Sequence, residues 1–155
     1  MLQLLGEFEC KIDAKGRMRL PSSLIRQLGT DGSQTFVINR GLEKHLVIYP
    51  KKVWDVMVQK VNALNPYVKK NREFIRYFFR GATEVIIDGS DRILLTKRLL
   101  EYAGIEKDAI LFAVNDKIEI WSKAKYDNSL DQEPENFSDL AEEVMGDSKP
   151  DIDLD

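Results

Sequence analysis

With 155 residues, 43% of them hydrophobic, the chain can form one compact domain or two small units that share a core. No apolar run approaches the roughly 18–20 residues of a membrane span, and Met1-Leu2-Gln3 starts no secretory signal, so a cytoplasmic protein is expected. The net charge of −3 conceals an asymmetry: residues 1–125 carry 22 basic and 15 acidic side chains, whereas Tyr126 to Asp155 hold 11 acidic residues and one lysine.

In chain order, Phe8, Cys10 and Ile12 alternate with Glu9 and Lys11, the period of a half-buried strand. Cys10 stands alone, which excludes an internal disulfide and suits a buried strand position. Asp13-Ala-Lys-Gly16 then supplies turn chemistry, since Asp bonds the backbone ahead and Gly takes positive φ. Met18 and Leu20 resume the alternation. Pro21 pre-sets the first turn of a short helix with Leu24, Ile25 and Leu28 on its apolar side, and Gly29 stops it. Phe36 to Ile38 and Leu46 to Tyr49 read as a hairpin joined around Gly41, with His45 an exposed or half-buried loop residue. Val53, Trp54, Met57, Val61 and Leu64 then recur at helical spacing until Asn65-Pro66. A second helix, about Lys69 to Arg80, is predicted to turn Phe74, Ile75, Phe78 and Phe79 inward and to align Arg72, Arg76 and Arg80 opposite. That arginine row suits an interface or a solvated surface better than base reading.

From residue 81 the plan repeats. Sliding the chain by 75 superposes Gly6 to Gly29 on Gly81 to Gly104 without a gap, with 8 identities in 24 pairs, including Asp13/Asp88 and Arg17/Arg92. Thr96 is placed to cap a helix of Leu99, Leu100 and Ala103, which Gly104 stops, and strands Ala109–Val114 and Lys117–Trp121 complete the copy. This divides the chain into repeat one (5–50), a helical linker (51–80), repeat two (81–125) and an acidic tail (126–155). In the tail a helical turn over Leu140 to Met145 is possible, with disorder expected past about Gly146.

Catalysis has little support. One histidine and one cysteine without evident partners, no phosphate-cradling glycine motif and no calcium-loop order argue against an enzyme, a metal site, a cofactor or a small-molecule substrate. The two turns are better candidates. An arginine on a rigid strand corner presents a planar fork that suits the O6/N7 edge of guanine or a phosphate. Lys15 and Arg19 flank Arg17 and can add phosphate contacts, while Asp13, Gly16 and Asp88 brace the turns. The alternative is that Asp and Arg merely close each turn as an ion pair. The basic excess around the first turn favours binding.

Asp13-Ala-Lys-Gly-Arg17-Met-Arg-Leu-Pro21 resembles the D-x-x-G-R-x-x-[LI]-P signature of AbrB/SpoVT-type DNA-binding domains. Two copies joined by a helical segment, with Arg76-Tyr-Phe-Phe-Arg-Gly-Ala82 leading to Asp88, resemble the MraZ family of bacterial transcriptional regulators over residues 1 to 127. The resemblance implies a mainly β fold with short helices (α+β), in which two pseudo-symmetric copies form a swapped-hairpin barrel. It further implies a ring-shaped homo-oligomer, nucleoid-associated, that binds direct repeats of double-stranded DNA in the promoter of the division and cell wall gene cluster as a repressor. The D-x-x-x-R element then places Arg17 and Arg92 at DNA, with Arg92 secondary, because Asp91 stands where Gly16 does and lowers the local positive charge. Two other readings stay open: the DNA-binding antitoxin of a toxin–antitoxin pair, which generally resembles a single copy, and a structural ring protein without DNA binding.

Overall fold

A computed structural model describes residues 3–28, 35–129 and 136–146. The expected stop at Gly29 and the end of the tail past Gly146 lie outside the described residues. The chain divides into a unit of residues 1–123 and a smaller unit of 124–155. Repeat one supplies β1 (Leu4–Lys11), β2 (Arg17–Arg19), α1 (Ser22–Leu28), β3 (Thr35–Arg40) and β4 (Leu46–Pro50). The helices α2 (Lys51–Asn62) and α3 (Lys69–Phe79) follow. Repeat two supplies β5 (Thr83–Ile86), β6 (Arg92–Leu94), α4 (Lys97–Ala103), β7 (Asp108–Asn115) and β8 (Lys117–Ser122), and α5 (Lys123–Ser129) and α6 (Phe137–Ala141) come last.

The first strand of each copy pairs with the hairpin of the other. β1 runs antiparallel to β7, with Phe8 opposite Leu111 and Cys10 opposite Ala109; β5 runs antiparallel to β3, with Thr83 opposite Ile38 and Val85 opposite Phe36. The two hairpins join through β4 and β8, where Val47 faces Glu119, so the sheet order is β1-β7-β8-β4-β3-β5. This palindromic order is what a pseudo-two-fold duplication with exchanged strands requires.

The barrel expected from the resemblance does not close: the sheet is open, with β1 and β5 at its edges. β2 and β6, three residues each, pair only with one another as a separate ribbon. At the outer edge of β1, the Gln27 amide accepts from the Leu5 N–H (2.9 Å) and donates to the Leu5 carbonyl (3.1 Å), taking the groups that another strand would need.

The main core lies between the sheet, the ribbon and α1 and α4, and includes Met18, Leu20, Leu24, Ile93, Leu95 and Leu99 from the corresponding segments of both copies. Each such side chain contributes about 1.5–3 kcal/mol by burial. β3 is buried on both faces because the linker helices cover its outer side. There Val37, Val47 and Tyr49 meet Trp54, which stacks on Phe78 at 5.6 Å. α3 departs from expectation: none of its residues is fully buried, and Phe74 is 45% exposed, since only Phe78 and Phe79 reach this second cluster.

Helix ends follow the local chemistry. Thr96 caps α4 by accepting from the Leu99 N–H, and Gly104 ends it at φ 67°. Pro21 stands immediately before α1 and closes its first turn, its carbonyl accepting from the Ile25 N–H at 3.0 Å. Among the described residues no helix is long and apolar enough to cross a membrane. In the second unit, α6 continues into a single π-turn over Glu142–Gly146, and Phe137, Leu140, Val144 and Met145 are exposed.

Candidate nucleic-acid interface

Each strand corner is organised by one aspartate. Asp13 Oδ1 accepts from the N–H groups of Lys15 (2.9 Å) and Arg17 (2.8 Å), while its Oδ2 accepts from Arg17 Nε at 2.8 Å. The Asp13 N–H donates to the Arg17 carbonyl, and its own carbonyl accepts from the Gly16 N–H. The second corner repeats this bond for bond: Asp88 Oδ1 accepts from Ser90 and Arg92 N–H, and Oδ2 accepts from Arg92 Nε at 3.0 Å. The Arg17 N–H, the Arg17 guanidinium and the Lys15 N–H hold the Asp13 carboxyl below the usual carboxylate range, and the equivalent groups do the same for Asp88. Both aspartates are therefore ionised acceptors at neutral pH.

The fourth residue of each turn must be left-handed. Gly16 has φ +85°, and a Cβ there would sit 2.7 Å from the Leu95 carbonyl oxygen. Asp91 takes the same role at φ 60°, a conformation aspartate tolerates better than most residues. Substitution of glycine by aspartate thus preserves the turn. The two turns also lock crosswise: Leu95 N–H donates to the Gly16 carbonyl and Leu20 N–H to the Asp91 carbonyl, both at 2.8 Å.

Between the turns β2 and β6 pair with Arg17 opposite Leu94, Met18 opposite Ile93 and Arg19 opposite Arg92. Met18 and Ile93 are buried, so strand alternation puts Arg17, Arg19, Arg92 and Leu94 together on the outer face. The sequence assigns the arginines to two separate corners; the register unites them on one ribbon. Nor does the sequence single out Leu94, 54% exposed, as the fourth position of that face.

The arginines are neither buried nor loose. The side chains of Arg17 and Arg92 are 33% and 31% exposed, with Nε held by a carboxylate. The Asp–Arg ion pair offered above as an alternative to binding is therefore present. It engages Nε and leaves the terminal Nη edge, whose paired donors can match guanine or phosphate, unengaged by Asp13 or Asp88. Lys15 and Arg19 are exposed. Charge separates the two turns: residues 13–17 carry one aspartate against Lys15 and Arg17, whereas residues 88–92 carry two aspartates against Arg92, and the register adds Arg19 beside Arg92. A cleft of about 590 Å³ adjoins the first turn, and its lining brings in Lys97 and Lys107, which the linear sequence does not connect with Lys15.

Comparison with known proteins finds relatives of the chain by sequence. A family model described as "MraZ protein, putative antitoxin-like" matches residues 3–76 and again 78–147. Over 147 residues the chain is 44% identical to a protein of Christiangramia forsetii named transcriptional regulator MraZ, covering 94% of this chain and 95% of that one. The protein of the same name from Flavobacterium psychrophilum is 43% identical, covering 94% of each chain. One from Pediococcus pentosaceus is 36% identical over 91% of this chain and 96% of its own.

Proposed function

Because the chain belongs to the MraZ family, a non-enzymatic family of DNA-binding transcriptional regulators, we propose that it reads promoter DNA through the β2–β6 ribbon. Arg17 is the principal base contact, its Nη edge donating to guanine O6 and N7 in the major groove. Arg92 is a weaker second contact, and Lys15 and Arg19 hold flanking phosphates. The observation that carries this reading is the single aspartate that accepts from each Nε, Asp13 from Arg17 and Asp88 from Arg92, which pre-orients the fork and lowers the entropy lost on binding. A two-stranded ribbon also has a width that the major groove accepts.

The regulated target is the chain's own division and cell wall gene cluster, and the effect is repression at the nucleoid in the cytoplasm. One subunit presents only a few base contacts, each worth about 1–3 kcal/mol of discrimination. A ring-shaped homo-oligomer set on short direct repeats multiplies that through effective concentration. Footprinting on the DNA upstream of the chain's own gene, with titrations at several salt concentrations, tests the proposal. Protection phased with direct repeats is expected; equal, weak binding to every fragment favours a structural ring protein instead.

A further inference from the structure

We propose that the cleft beside the first turn is a site for DNA backbone phosphates, in which Lys15, Lys97 and Lys107 hold one strand next to the bases that Arg17 reads. Because Ser90 and Ser22 stand at the second turn where Lys15 and Lys97 stand at the first, each subunit lies on the duplex in one orientation despite its internal pseudo-symmetry. This rests on the DNA-reading proposal above and adds residues and a polarity to it.

The cleft is built by strand exchange. Lys15 comes from the first turn; Lys97 opens α4 and Lys107 precedes β7, both in repeat two. Two backbone bonds fix them there: Leu95 N–H to the Gly16 carbonyl, and Ile12 N–H to the Lys107 carbonyl, each 2.8 Å. Ile12, Leu95 and Leu100 line the cleft together with these lysines, all three of which are exposed. The carboxylates of the lining do not cancel them: Asp13 is held by Arg17, and Asp108 faces Lys11 at 3.9 Å, leaving Glu106 against three ammonium groups. Ammonium groups act on phosphate as point charges and need no fixed fork, so exposed lysines suit the backbone while the braced arginine suits a base.

At the opposite turn the offset of 75 replaces Lys11, Lys15 and Lys97 with Ile86, Ser90 and Ser22, and Gly16 with Asp91. A reader with two-fold symmetric charge fits an inverted repeat in either direction. One with a lysine cluster beside only one of its two turns has a preferred direction, as consecutive direct repeats require.

The test uses the full-length protein and one operator fragment, comparing the wild type with the Lys97→Ala/Lys107→Ala double variant. Loss of two phosphate contacts is expected to flatten the slope of log affinity against log salt by roughly 2, at about 0.9 per contact. The preference for operator over scrambled DNA should survive. A control variant, Lys69→Ala/Lys70→Ala on α3, removes the same charge and should keep the wild-type slope. Orientation is read with a DNA-cleaving chelate tethered at Ser23→Cys or, separately, at the pseudo-equivalent Arg98→Cys; the two should cut on opposite sides of each repeat. An unchanged slope in the cleft variant, an equal change in the control, or cutting on both sides from either tether would overturn the inference while the wild type still footprints. A wild type that fails to footprint instead overturns the parent reading.

Discussion

Asp13 and Asp88 each organise five residues through bonds that reach no further than four positions along the chain, and that locality is why the D-x-x-x-R turns are legible without any knowledge of the fold. The role of Asp91 is not, because its left-handed φ of 60° is a property of the backbone rather than of charge. Two substitutions separate these effects. Gly16→Ala puts a methyl 2.7 Å from the Leu95 carbonyl in a left-handed position and should cost on the order of 2 kcal/mol in chemical denaturation. Asp91→Gly relieves the same conformation and should stabilise by up to about 1 kcal/mol, while tightening DNA binding by removing a carboxylate beside Arg92.

His45 is not the loop residue with access to solvent that its local sequence suggests. It is 5% exposed and stacks on Trp121 at 4.3 Å, a contact across 76 positions that no local pattern encodes. Burial lowers its pKa below the ordinary 6.5 even though Glu119 and Glu43 pull the other way. A histidine kept neutral by folding contributes stability above pH 6.5 and loses it as pH falls through the native pKa. Denaturation midpoints should therefore drop between pH 7 and 5.5 in the wild type and fall less in His45→Gln.

At the scale of elements, the 75-residue repeat discloses both hairpins, both corners and the helix cap at Thr96, because each rests on a period or a cap within a few residues. It does not by itself disclose which copy's hairpin each first strand joins, since Phe8–Leu111 and Val85–Phe36 are long-range pairs; the exchange is expected only from the family resemblance. The apolar stripe of α3 overstates burial, since helical spacing defines a face and not what covers it, and Phe74 stays exposed. Exchange makes repeat one incomplete. A fragment of residues 1–80 lacks the partners of both β1 and β2, and should show no cooperative unfolding until residues 81–129 are added. Cys10 reports this directly: burial, and to a lesser degree Glu9, push its thiol up to about 11 in the whole chain. It should resist alkylation there and react readily in the lone fragment. A fragment that folds alone and protects Cys10 would refute the dependence.

For the whole molecule, the excess of cations in residues 1–125 and the acidic residues from Tyr126 onward are readable by counting, but their arrangement is not. The register of β2 on β6 sets three arginines on one face, and the strand exchange brings lysines of repeat two to the first turn. Both follow from tertiary pairing, which charge patterning along a chain cannot express. Arg17→Ala should leave the thermal midpoint within a few degrees, because a partly exposed pair contributes little to stability. It should lower operator affinity about 5–150-fold, the equivalent of 1–3 kcal/mol.

Guanine-N7 methylation interference on the operator, in wild type and Arg17→Ala, tests the base-reading assignment most directly. Methylation of one guanine per repeat should block the wild type, and that sensitivity should vanish in the variant while its residual binding persists. An identical interference pattern in both proteins would contradict it, leaving the Asp–Arg pairs as closures of two turns and nothing more.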